Sequence, residues 1–320
     1  MIPTIKPETE QRPSILPNWI FQAPTPEILG STTLADAGFA SGAALALLHV
    51  ALHDPITNTP TDLLRNRLAL RTAINCLKIE GRMATEGDIR DAYYLTAPGD
   101  EMGPAGDMFA FWRAGYGLAL RHTGWRVKLI ELLPEEMRDD VSIQLDQALQ
   151  IGGGPMVAAI SIFEAVLKQF PRQEAVALFC ADAVLAYGLG WDKPLPLFGL
   201  HLNRKILRAA SEGEDAGIAC HNAVTHAAQD AVRMGYDLAR RAERLRAIAP
   251  KLRAKGSVEA LNLFLSEDAV YAPTMLSPKV RGSNVPMTGR SARRLCDRLV
   301  ELGVARELTG RKTFRLYGVA

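Results

Sequence analysis

Three short stretches hold side chains whose types and spacing could do chemistry. In "HVALHD", His49 and His53 stand four residues apart and Asp54 follows. Helical spacing would put both imidazoles on one face, where they could hold zinc together with the carboxylate. The glutamate of a His-Glu-x-x-His site is missing and no third ligand stands nearby. The favoured reading is therefore a helix end, with His53 near the C-terminal dipole and no bound metal. In "CHNAVTH", Cys220, His221 and His226 are close in sequence, but a helix would point Cys220 and His226 apart, which argues against a nucleophile–base pair. "APGDEMGPAGD", residues 97–107, sets Asp100, Glu101 and Asp107 among glycines. Such carboxylates could bind a metal or act as acid and base. The simpler expectation is an interhelical loop whose Pro and Gly set its path and whose Asp caps the next helix. No Walker loop, GxGxxG or GxSxG occurs. Nucleotide hydrolysis, dinucleotide chemistry and ordinary hydrolase mechanisms lack support, and no catalytic residue or cofactor is assigned.

A fourth set of residues suits a polyanion. The net charge is only +2, yet residues 233–320 hold 18 Lys and Arg against 8 Asp and Glu, while the residues before them are net −8. Such asymmetry points to an anionic partner for the basic part, nucleic acid being the commonest. After Thr288, a possible N-cap, helical spacing gathers Ala292, Leu295, Cys296, Leu299, Val300 and Leu302 on one side. Arg290, Arg293, Arg294, Asp297, Arg298 and Glu301 fall on the other. Gly303 ends the helix, and "VARELTGRKTFRLYGV" alternates as two strands joined at Thr309-Gly310. Leu308, Phe314 and Leu316 would cover the helix, with Arg311 and Lys312 at the tip. On double-stranded DNA, Arg290, Arg293 and Arg294 would lie near base edges, and Arg298, Arg306, Arg311, Lys312 and Arg315 on phosphates. Asp297 and Glu301 would repel phosphate, so a solvated helix held by Arg–acid pairs is the competing reading.

The elements that must position these residues are overwhelmingly helical. Ala and Leu recur at helical spacing over 33–52, 61–79 and 86–96, with Thr61 or Asp62 as a cap, and further helices are expected at 104–122, 136–150, 155–170, 173–187, 202–212 and 215–248. "IGGGP" at 151–155 stops one helix before another starts. In "GLGWDKPLPL", Gly188 and Gly190 end a helix and Trp191 packs beneath the turn. Strand signal is almost absent before residue 304. Residues 257–269 read as a helix whose Val258, Leu261, Phe264 and Leu265 share a face, and "TMLSPKVR" leaves room for only a short second helix among Pro273, Pro278 and Pro286. Three helices and a basic hairpin follow winged-helix order. The fold class expected is mainly α, a multi-helical body with a small C-terminal winged-helix (α+β) module. Its parts are a Pro-containing N-terminal tail at 1–28, an α-helical domain at 29–256 and the module at 257–320.

At 320 residues and 48% hydrophobic, the chain can bury a real core. The N-terminus has no apolar export segment, and the longest apolar run, "FASGAALALLHVAL", falls short of the roughly 20 residues a bilayer requires. A cytoplasmic protein without a membrane partner is expected. Cys76, Cys180, Cys220 and Cys296 lie far apart with no CxxC spacing and read as buried thiols. Surplus apolar surface on the 33–52 helix and on the long basic helix suggests a homodimer.

Four motifs together resemble a known family. "LTAPGDEMGPAG" (95–106), "GLGWDKPLPL" (188–197), "RRAERLRAIAPKLRAKG" (240–256) and "GRSARRLCDRLVELGVARELTGRKTFRLYG" (289–318) are similar to the bacterial family called domain of unknown function 1403, from roughly residue 30 to the C-terminus. That resemblance implies one continuous architecture and carries no activity. The last motif is also similar to winged-helix ends behind other bacterial domains, from which it departs in its Pro-rich, shortened second helix. The function expected is a DNA-associated regulatory or accessory protein. The alternatives are a helical scaffold whose winged helix binds another protein and, third, an enzyme using the 97–107 loop.

Overall fold

The computed structural model describes residues 33–252 and 255–320, so the tail expected at 1–28 lies outside the described residues. The body is helical throughout: α1 (Leu34–His53), α2 (Thr61–Ile79), α3 (Glu86–Tyr94), α4 (Gly103–Tyr116), α5 (Trp125–Glu131), α6 (Arg138–Gln150), α7 (Pro155–Gln169), α8 (Glu174–Gly188), α9 (Phe198–His201), α10 (Arg204–Ser211) and α11 (Gly217–Ala247). Local chemistry sets several boundaries. Thr33 and Thr85 form capping boxes with Asp36 and Asp88 at the starts of α1 and α3. Pro155 opens α7 after "IGGG". Asn203, accepting from the Lys205 and Ile206 amides, caps α10, so the helix expected at 202–212 runs over Arg204–Ser211, and α9 before it has no counterpart among the expected helices.

Three local expectations are not met. The helix expected to reach residue 122 stops at Tyr116. Gly115 is there because a Cβ would meet the Phe179 ring at 2.5 Å, letting α4 approach α8 closely. Neither Thr61 nor Asp62 caps α2, since Pro60 holds the N-cap position without a side-chain bond. Nor does an aspartate cap α4, whose N-cap is Met102.

In the body, α1 lies along α11, α7 pairs with α8, and α2 packs on α4. Along α11, sixteen residues from Gly217 to Leu245 are buried, leaving little of the surplus apolar surface expected there. α1 differs: Leu34 and Val50 are exposed. By length and composition alone α1 could cross a membrane, because its 20 residues extend the apolar run at both ends, though 33% of its most apolar window is buried within the fold.

The C-terminal part follows as α12 (Ser257–Phe264), β1 (Val270–Tyr271), a π-helical turn (Ala272–Leu276), α13 (Gly289–Glu301), β2 (Ala305–Glu307) and β3 (Leu316–Val319). The strands form an antiparallel sheet in the order β1-β3-β2. β1 has no counterpart in the sequence reading, because two residues cannot show an alternation; it exists through its pairing with β3. The short second helix is reduced to the π turn, as the crowding prolines require. Thr288 accepts from the Ser291 amide, and Gly303, at φ 68, closes α13 in the left-handed conformation that favours glycine. Ala292, Leu295, Cys296 and Leu299 are buried as the helical spacing predicts, whereas Val300 is exposed. On α12, Leu261 and Phe264 are buried but Val258 is 57% exposed. Hydrophobic packing does not break at 256/257: buried residues of α12, α13 and the sheet belong to the same core cluster as the body.

Candidate nucleic-acid interface

A buried charge cluster lies where the C-terminal part meets the body. Asp268, fully buried just before β1, receives Arg67 of α2 at 2.7 Å and Arg90 of α3 at 2.6 Å. Arg90 also reaches Glu86 at 2.9 Å. Burial opposes the Arg90 charge, but Asp268 and Glu86 outweigh it and leave the pKa above the usual arginine value. Next to it, Glu267 takes Arg113 of α4 at 2.6 Å and the Tyr94 hydroxyl at 3.2 Å, while Arg113 lies over the Tyr93 ring. Burial pushes the Tyr94 phenol well up. None of these residues drew notice in the sequence. The signal present was weak, an acidic pair ending an apolar helix and arginines on apolar-spaced helices, with nothing to join them across about 150 to 200 positions.

From this anchor the basic residues divide. Arg290, Arg293 and Arg294 are exposed on the first turns of α13, and among the described residues none of the three is in an ion pair. Arg298 pairs with Glu301 at 3.0 Å. Arg315 lies 3.8 Å from Asp297 and donates to the Arg311 carbonyl. Arg311 is not at an open tip, for its guanidinium holds Asp91 of α3. Arg306, on β2, has its pKa lowered by partial burial and by the neighbouring Arg67, Arg241 and Arg90. Its surroundings differ from those of Lys312, which joins Arg293 and Arg315 around a cleft of about 500 Å³.

The hairpin corrects one expectation about packing. Phe314 does not cover α13: it is 59% exposed with φ 54. β2 ends at Glu307 and β3 starts at Leu316, so Phe314 sits in a loop and escapes the strand alternation. The Leu308 amide closes that loop on the Leu316 carbonyl at 2.8 Å.

Several of the other candidate residues are occupied structurally. His49 accepts from the Trp191 indole at 3.0 Å, which places Trp191 under its turn, and His53 stacks on His49. Asp54 is the C-cap of α1. His221 bonds Ser41 at 2.7 Å; Ser41 is fully buried, and burial lowers the imidazole pKa. All four cysteines are buried and free, and burial pushes Cys180 and Cys296 up to about 12. Asp100, Glu101 and Asp107 are exposed. Among the described residues, no three His, Cys, Asp or Glu side chains gather as a metal-holding group. Asp182 is the most perturbed carboxylate: burial pushes it up to about 7, against bonds from the Leu197 and Phe198 amides and the Tyr116 hydroxyl. Its place is to fasten the 188–197 turn to α8.

A mainly helical chain with a small α+β end and an arginine-bearing terminal helix is the class these features define. The chain belongs to the family described as Protein of unknown function (DUF1403), which matches residues 5–319, nearly its whole length. No curated protein matches the chain significantly.

Proposed function

We propose that the protein is a DNA-associated regulatory or accessory factor that contacts double-stranded DNA through a winged-helix module at residues 257–320. The observation that carries this reading is the row Arg290, Arg293 and Arg294, exposed at the capped start of α13 and, among the described residues, without acidic partners. The order helix, strand, turn, helix, strand, strand and the sheet order β1-β3-β2 support it, since a winged helix presents its third helix to the major groove beside a hairpin. The body serves as the support that fixes the angle of α13 through Asp268 and Glu267.

A second reading has its own support. Asp297 and Glu301 interleave with the arginines, and Val258 and Phe314 expose apolar surface, as a module that binds another protein would. One experiment separates the two: fluorescence anisotropy of the full chain against a labelled pool of genomic duplexes, titrated with salt. The DNA reading expects binding at low salt that weakens linearly in log–log form as salt rises. No binding at low salt by protein that circular dichroism shows to be folded would replace it with the protein-contact reading.

A further inference from the structure

We propose that the cleft at the root of the hairpin receives an unpaired nucleobase, so that the protein prefers a duplex carrying a single-stranded overhang to a blunt one. This rests on the DNA reading and narrows it to a kind of DNA. The cleft, about 500 Å³, is of small-ligand size and far too small for a duplex groove element. Phe314 supplies its exposed aromatic ring, beside half-buried Tyr271 and buried Tyr317, and Arg293, Lys312 and Arg315 supply its charge. Aromatic faces beside cations are what a splayed-out nucleotide needs: the ring stacks the base and the cations take the flanking phosphates. A base within a duplex is already stacked on both faces and offers only its edge, so this chemistry selects an unpaired one.

Phe314 is the centre of the argument. It is 59% exposed, and it is held at φ 54, a conformation that ordinary side chains rarely adopt. The loop around it is braced from three sides: by the Leu308–Leu316 backbone bond, by Arg315 donating to the Arg311 carbonyl, and by Arg311 on Asp91 of α3. An aromatic ring kept outward by a braced, strained backbone is preorganised to stack on something. Asp297, which also lines the cleft, faces Arg315 at 3.8 Å, which offsets part of its repulsion of phosphate.

The test uses the full-length protein and four labelled probes at fixed salt: a blunt duplex, the same duplex with a short oligo-dT overhang, the same with an abasic overhang, and oligo-dT alone. The overhang should tighten binding roughly tenfold over the blunt duplex, and the abasic overhang should add little, because stacking needs a base. Free oligo-dT should bind more weakly than the overhang duplex, since it offers α13 no major groove. Phe314→Ala should remove the overhang advantage and leave blunt-duplex affinity unchanged, whereas Phe314→Trp should keep it. Equal binding of blunt and overhang duplexes, an abasic overhang as good as oligo-dT, oligo-dT alone matching the overhang duplex, or equal fractional losses from Phe314→Ala on both duplexes would overturn this inference and leave the DNA reading standing. No binding to any probe would overturn both.

Discussion

Arg67, Arg90 and Arg113 face inward at the junction with the C-terminal part, and Arg290, Arg293 and Arg294 face outward from α13. The inner three share Asp268 and Glu267, both carboxylates drawn from one loop, at 2.6 to 2.7 Å. The outer three have no acid within ion-pair distance among the described residues. The same side chain thus has two uses, decided by where the chain places acids rather than by where it places arginines. Inside, a charge taken from water must be matched, and the pairs set orientation. Outside, an unmatched charge costs little and is available to an anion.

Breaking the inner set should have the largest effect. Asp268→Ala leaves half-buried Arg67 without its counter-charge and buried Arg90 with Glu86 alone, and stability should fall by about 3 kcal/mol in urea unfolding. Arg298→Ala, which removes an exposed pair with Glu301, should cost under about 1 kcal/mol in the same measurement. Similar losses from both would dissolve the distinction between inner and outer arginines.

Asp182 sharpens the comparison, being a fully buried carboxylate with no arginine partner among the described residues. Its folded pKa, about 7, is raised above its unfolded value near 3.8. The proton is therefore bound more tightly in the folded state. The stability it contributes is full below pH 4 and is lost as pH rises through 7. Asp182→Asn keeps the acceptor for the Leu197 and Phe198 amides without the charge. Relative to this variant, the native protein should lose about 2–3 kcal/mol of stability between pH 5 and pH 8. Parallel pH profiles for the two proteins would show that burial of Asp182 does not govern its titration.

The legibility of the sequence follows the same inner–outer division. The apolar stripe of α13, its Thr288 cap and its Gly303 stop are local, and local spacing reports them. The exposure of Arg293 and Arg294 follows from that stripe, so the outer set was readable too. The inner set was not, since Asp268 and Arg90 are 178 positions apart and no periodicity relates them. β1 escaped for the same reason, being defined by its partner. Phe314 was misplaced because the hairpin loop is longer than a two-residue turn, which breaks the alternation between Leu308 and Leu316, and the hold of Arg311 on Asp91 is again a contact between distant positions.

Breaking the outer set should act on binding and not on folding. Arg294→Ala should cost roughly 1–3 kcal/mol at a preferred duplex and blunt sequence preference, as the loss of a base-edge contact does. Unfolding curves should be unchanged, because the side chain is exposed.

The smallest effect belongs to Lys312. It is exposed on the hairpin loop beside Arg293 and Arg315, with no acid paired to it among the described residues. From the hairpin it can reach phosphate but not major-groove base edges, so Lys312→Ala should weaken all duplexes about equally and lower the slope of log affinity against log salt by roughly one. Arg311→Ala provides the contrast, since that guanidinium is already committed to Asp91. Its loss should change the slope less than Lys312→Ala does, even though the two residues are adjacent and carry the same charge. The measurement is a salt titration of blunt-duplex binding for the three proteins. Equal slope changes would mean that Arg311 leaves Asp91 to meet DNA, so that the ion pair to α3 opens on binding. A larger change for Arg311 would make it, and not Lys312, the phosphate contact of the hairpin. Either result would move the boundary between inner and outer cations to the hairpin itself.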